Sequence, residues 1–432
     1  MRIKLICPSW QRISYQTHYV LPPLGVLAVA AATPPEHEVV IADENIAPID
    51  LSGPADIVGI SMLLACQAPR ALALADAFRA RGVPVIMGGL SATCMADILK
   101  PHADALVLGE AEGVWAQALA DAARGRLRPV YHRKSLTAAH DIPSARHELT
   151  DTSAYSYRGL RMPELVETSR GCSRRCPVCP VPRVMGQRHR YRDVDQVVAE
   201  MAAIGSERLY IVDCQLKFDE SHERRLFRAM AGLGKTLATQ ELGLNPRLLR
   251  LAADAGCRLV FLPIQEDLAR VPEVVKRLHD AGIAVEGSCC FGYDHHGPDI
   301  FERMTDFLSA VGMDYAEFTI LTPFPGTPLR DRLKREGRIL HEDWSRYNAG
   351  NVVFQPARMT AARLEAGYRG AWERFYGKET EPLRMARLLR RMGGGPGFEP
   401  VSVVDERKVI PFQKSGTAAR WGGVARALRK KA

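Results

Sequence analysis

Short apolar runs alternate along the chain with longer stretches in which apolar residues recur every third or fourth position. In the first part, Arg2–Cys7, Glu38–Ala42, Asp56–Ser61, Pro84–Met87 and Asp104–Leu108 read as strands. Leu24–Ala32, Ala68–Arg81 and Glu112–Ala123 read as crossover helices between some of them. That alternation predicts an α/β unit, a Rossmann-like or flavodoxin-like doubly wound parallel sheet. Ligands in such sheets sit at the carboxyl ends of the strands. Here those ends carry Gly59 and Ser61, Gly88 and Gly89, and Gly109 and Glu110. Small residues let a backbone approach a bulky ligand closely, although tight strand-to-helix turns favour them equally.

The pattern fades over Gly125–Met162, which reads as an irregular linker, and a second series begins at Pro163. Strands are expected at Glu164–Thr168, Arg208–Val212, Lys235–Gln240 (weakly), Arg258–Leu262, Ala284–Phe291 and Tyr315–Ile320. Helices are expected at Val194–Ile204, Asp219–Leu233, Pro246–Ala255, Pro272–Ala281 and Asp299–Val311. Six βα units are fewer than a closed barrel has, so a partial (β/α)6 TIM barrel is the economical reading. Beyond it, Leu329–Gly337 and Ala361–Tyr376 read as helices around an irregular joint. The expected division is therefore 1–150, 160–337 and 338–432, the last a mainly helical extension with a basic tail.

Composition narrows the class. Apolar and charged residues make up 47% and 25% of the chain, the balance of a globular protein. No run of about 18 apolar residues appears, so no membrane span is expected. The opening Met1–Trp10 lacks an apolar signal core, and ten cysteines then read as thiols or metal ligands in a reducing cytoplasm. The net charge of +9 is concentrated partly in the tail, but no basic groove interleaved with aromatics accompanies it. No nucleic-acid partner is expected.

The densest chemistry lies in Arg170–Pro180, where Cys172, Cys176 and Cys179 have the spacing C-x3-C-x2-C directly after the first strand of the second series. A closed structural zinc site needs four ligands, and His189 is the nearest fourth. An iron–sulfur cluster held by three thiolates instead leaves one iron open to a substrate or cosubstrate. Both readings fit the residues.

In this context the motif resembles the radical S-adenosylmethionine (SAM) superfamily. Glu167–Cys172 resembles its usual approach to the cysteine loop, Tyr191–Met201 the helix after the loop, and Leu209–Asp213 the acidic end of the second strand. Leu21–Gly25, Ala55–Ser61, Val83–Gly89 and Val107–Glu112 resemble, in order, the cobalamin-binding domain preceding many such barrels, without the histidine motif that reaches cobalt in the mutase type. Thr322–Thr327, Gly337–Leu340, Trp344 and Arg346–Tyr347 resemble the C-terminal extension of a cobalamin-type subgroup, and Phe291–Gly297 resembles its turn after the fifth strand. The resemblance implies a 4Fe-4S cluster on Cys172, Cys176 and Cys179, with SAM on the open iron. It implies SAM contacts at Asp213 and Gln265, and cobalamin contacts at Leu24, Gly25, Ser61, Gly88, Gly89, Gly109 and Glu110. An external flavodoxin- or ferredoxin-type electron donor would supply the cluster, and the substrate would be a small molecule.

The leading expectation is methyl transfer to such a substrate. Val178 stands where relatives commonly place an aromatic that shields the cluster, and departures at Pro263 and Gln265 keep a second outcome open, transfer of the 3-amino-3-carboxypropyl group of SAM. A zinc-holding sensor protein is the non-enzyme alternative.

Overall fold

The structure, a computed structural model, describes residues 1–11, 20–157, 160–217, 219–264 and 268–377. Its first sheet contains β1 (Arg2–Cys7), β2 (Glu38–Asp43), β3 (Ile57–Ser61), β4 (Val85–Gly88), β5 (Ala105–Leu108) and β6 (Val130–His132). The strands run parallel in the order β2-β1-β3-β4-β5-β6, so the winding reverses between β1 and β3. Successive strand residues feed different cores. Ile3, Leu5 and Ile57 pack with Val26 and Ala30 of the helix α1 (Leu24–Ala31), whereas Ile6, Val58 and Ile60 pack on the other face with Leu74 and Ala75 of α2 (Ala68–Arg79). Burial on both faces explains why these strands read as nearly continuous apolar runs. The sixth strand corrects the linker expected over Gly125–Met162. Three residues, of which only Tyr131 is buried, are too few to show a period.

The second sheet comprises Glu164–Val166, Arg208–Ile211, Thr236–Thr239, Cys257–Ile264, Ala284–Phe291 and Tyr315–Ile320. All run parallel and their order across the sheet follows the chain, the winding that a partial barrel requires. The weak third strand is real, with a register shift at Leu237/Ala238. Two of its helices begin on side chains suited to capping: Asp193 accepts from the amides of Asp195 and Gln196, and Asn245 from that of Arg247 ahead of Pro246. The exposed edge, Tyr315–Ile320, is covered by the helix Ala361–Tyr376. Trp372 and Phe375 pack edge-on against Phe318, and the Tyr376 hydroxyl donates to the Ala316 carbonyl (2.5 Å) while accepting from its amide (3.2 Å).

The segment between these helices is more than a joint. Tyr347 and Val353 are fully buried in the same core as Val58, Leu74 and Leu106 of the first sheet, with Phe324 and Trp344 packed against it. Arg330 stacks on Trp344 (4.7 Å) and bonds the Tyr347 hydroxyl (3.2 Å). The chain after the second sheet thus returns as a strap and completes the core of the first.

Candidate functional site

Gly171–His189 forms a loop closed by antiparallel pairing of Ser169–Arg170 with Arg190–Tyr191. The Cys172 amide donates to the Gly186 carbonyl (3.1 Å) and the Cys179 amide to that of Cys176 (3.3 Å). Gly171, at φ +92°, lies where a Cβ would sit 2.2 Å from the Arg188 carbonyl oxygen, so only glycine lets the two arms approach so closely. Cys172 is buried, whereas Cys176 and Cys179 are partly exposed.

Asp213 anchors the loop from below. Its carboxylate accepts from the Thr168 amide (2.7 Å), the Thr168 hydroxyl (2.5 Å) and the Ser169 hydroxyl (2.7 Å). These bonds turn the chain out of the sheet after Val166, which is why the first strand is shorter than expected. Asp213 is therefore engaged beneath the cysteine loop. Gln265 lies outside the described residues. On the other side Arg174 pairs with Glu241 (3.0 Å), which also receives Lys217 and Gln215. A cavity of about 220 Å³ opens beside Glu241, between apolar side chains such as Leu242, Leu262 and Val274.

The donor set suits a cluster. Burial pushes the Cys179 thiol up, and negative charge on Cys172 and Cys176 pushes it further. Thiols that oppose one another's ionisation are the ligands a multiply charged centre relieves. Among the described residues no three His, Cys, Asp or Glu side chains converge as a ready metal-ligand set. His189 faces the loop backbone, with its Nε2 3.5 Å from the Ser173 amide. Cys214, which sequence reasoning passed over, is a fourth thiol here. Burial, then the charges of Cys172 and Cys179, push it up to about 12. Its place directly after Asp213 was the available signal.

Above the first sheet, the residues expected to meet cobalamin cluster at the strand ends. A Cβ on Gly25 would lie 3.7 Å from the Ser61 hydroxyl oxygen, and one on Gly89 would strike the Met62 backbone. The Gly109 amide donates to the Thr93 hydroxyl (2.9 Å). Leu24 lines a narrow cleft with Glu167 and Arg170 of the cysteine arm. The Glu110 carboxylate accepts from the Thr137 amide (2.7 Å) and from both terminal nitrogens of Arg190. It fastens protein to protein.

One face of the second sheet supplies further polar groups. Register places Phe261 beside Glu286, Pro263 beside Ser288, and Ser288 beside Glu317. Burial pushes the Glu317 carboxyl up, yet the side chain keeps some exposed surface. Tyr210, within electrostatic reach of both carboxylates, accepts a hydrogen bond from Gln240 (2.5 Å). His296, in the turn after the fifth strand, is buried, and its Nδ1 accepts from the Gly292 amide (3.2 Å). Burial lowers the His296 ring to about 4.

A profile of a domain of unknown function, DUF4070, matches residues 327–418. Bacteriochlorophyllide d C-12(1)-methyltransferase of Chlorobaculum tepidum is 28% identical over 403 residues, covering 87% of this chain and 85% of its own length. Bacteriochlorophyllide d C-8(2)-methyltransferase of the same organism is 26% identical, covering 78% and 80%. Among solved structures, the radical SAM methyltransferase TsrM from Kitasatospora setae, with cobalamin and a [4Fe-4S] cluster bound, aligns over 90% of this chain and 94% of its own. Its TM-score is 0.61 at 16% identity, a likeness of fold. Over most of its length, then, the chain is similar to two bacteriochlorophyllide methyltransferases and shares the fold of a radical SAM methyltransferase.

Proposed function

We propose that the protein is a cobalamin-dependent radical SAM methyltransferase acting on a small molecule. The observation that carries this reading is the docking of a three-cysteine hairpin, at the carboxyl end of one parallel sheet, against the carboxyl end of a doubly wound second one. In this reading Cys172, Cys176 and Cys179 hold a 4Fe-4S cluster with one iron open to SAM. Cobalamin lies over Leu24, Gly25, Ser61, Gly88, Gly89 and Gly109. When bound, the cluster supplies an electron to SAM and the cobalamin carries the methyl group, chemistry that no side chain provides.

The chain's own part is positioning and shielding. Asp213 and Gly171 fix the hairpin, and Leu24 and Arg170 close the seam between the sheets. The face bearing Tyr210, Phe261, Ser288 and Glu317 receives the substrate, with Glu317 offering an acceptor to a donor group on it. The units 1–150 and 160–337 are the cobalamin and SAM parts of this arrangement; of 338–432, the strap and its helix occupy residues up to 377, and the basic tail lies outside the described residues. Ten free thiols support a reducing cytoplasm, where a flavodoxin- or ferredoxin-type protein delivers the electron. Among the described residues no helix is long and apolar enough to cross a membrane.

The test is an anaerobic reconstitution with iron and sulfide, followed by analysis of SAM products with and without added cobalamin. S-adenosylhomocysteine together with 5′-deoxyadenosine, dependent on cobalamin, is the expected result. Methylthioadenosine would point to aminocarboxypropyl transfer. A colourless protein containing zinc and no iron would refute the cluster.

A further inference from the structure

Two arginines bracket the cysteine hairpin, Arg170 at its outgoing arm and Arg190 at its return, and both reach across to the end of β5. Arg170 pairs with Glu112 (2.7 Å), with Glu167 (2.6 Å) and, at 3.7 Å, with Glu110. Arg190 pairs with Glu110 and bonds the carbonyls of Thr137 and Met185. These are sheltered groups: the side chains of Arg170, Glu110 and Glu112 are 8%, 6% and 8% exposed. An unpaired charge in such surroundings is expensive, so each member holds the others in place.

The hairpin does not need this contact to keep its own shape. Backbone pairing of its arms, the Cys172–Gly186 bond and the Asp213 anchor close it from within its own sheet. Glu167, also from its own sheet, already gives Arg170 a partner. Glu110 and Glu112 add something else, a fixed placement relative to the first sheet. We propose that Glu110 and Glu112 are positioning residues that lock the cysteine hairpin onto the carboxyl end of the first sheet, setting the separation between the two cofactor sites. The functional meaning rests on the reading under Proposed function; the docking itself does not.

The experiment compares the full chain with E112Q and with E110Q/E112Q. In the protein before reconstitution, amide hydrogen exchange is followed at Thr137, which bonds Glu110, and at Cys172, which bonds within the hairpin. The double variant is expected to exchange at least tenfold faster at Thr137 while Cys172 stays protected. After loading with iron, sulfide and cobalt(II) cobalamin as the paramagnetic probe, pulsed EPR reads the distance between the reduced cluster and cobalt. Wild-type protein should give one narrow distribution. The double variant, with unchanged iron and cobalamin content, should give one at least twice as broad, and E112Q an intermediate one because Glu110 still holds Arg190. An unchanged distribution, or unchanged Thr137 exchange, overturns the proposal. Loss of Cys172 protection or of iron in E112Q also overturns it, since the residues would then shape the hairpin itself. A wild-type chain that takes up no cobalamin refutes the functional reading alone and leaves the exchange comparison to decide the docking.

Discussion

Replacing Gly171 by alanine tests how the hairpin is held. The residue sits at φ +92°, a conformation that costs an L-amino acid about 1–3 kcal/mol. Its new Cβ would also stand 2.2 Å from the Arg188 carbonyl oxygen and 3.2 Å from that of Met185. Both obstacles are backbone, so the clash cannot be relieved by a side-chain rotation, and overpacking of this kind costs about 1–3 kcal/mol. The arms must part, and the Cys172–Gly186 bond stretches with them. A combined cost of about 3 kcal/mol makes the open hairpin about a hundredfold more populated. Gly125 is the control. It has φ +65° with nothing near its would-be Cβ, so G125A carries conformational strain alone. The assay is iron bound per chain after anaerobic reconstitution, together with exchange of the Cys172 amide. G171A should lose most of its iron and exchange about a hundredfold faster, with G125A close to wild type. Full iron and a protected Cys172 amide in G171A would refute the reasoning.

Alanine at Cys172, Cys176 or Cys179 should each abolish the absorbance near 400 nm expected of a thiolate-bound cluster (~400 nm), whereas C214A should retain it; iron analysis checks both. His147 bridges Glu164 and Glu200, each at 3.2 Å, and although burial favours the neutral ring, these carboxylates raise it to about 9. The folded state therefore holds this proton more tightly than the unfolded one. The bridge contributes fully below about pH 6.5, at most about 3 kcal/mol, and its contribution is lost as pH rises through about 9. Chemical denaturation of H147Q should lack that decline, and an equal decline in both proteins would count against the bridge. For Glu317 the raised carboxyl means that wild-type stability falls as pH rises above the ordinary carboxylate range near ~4. E317Q should remove that fall and, on the functional reading, weaken substrate binding more than it slows SAM cleavage without substrate; parallel pH–stability curves for the two proteins would refute the account.

Much of this was legible beforehand because periodicity reports burial. Ala284–Phe291, Tyr315–Ile320 and Ala361–Tyr376 are found where the pattern placed them, each with enough residues to display its period. The β6 strand was hidden by its brevity. The three cysteines stood out because their spacing is local. The partners that position them did not, because Glu110, Glu112 and Asp213 meet Arg170, Arg190 and Thr168 only once the sheets are wound. A carboxylate at the end of a strand looks the same in sequence whether it faces a ligand or an arginine, so the ion pairs of Glu110 with Arg170 and Arg190 could not be read there. Tyr347 and Val353 likewise follow the second sheet but belong to the core of the first.

That last arrangement has a consequence for how the molecule is made. Synthesis delivers β1 to β6 long before Tyr347 and Val353, so the face of the first sheet next to α2 leaves the ribosome lacking two of its buried side chains. Its packing can be completed only after the whole second sheet has emerged, which makes the amino-terminal part a late finisher during biosynthesis. The same geometry forbids dissection: a gene fragment ending before the strap would expose Val58, Leu74 and Leu106, and such a fragment is destined for aggregation or a chaperone.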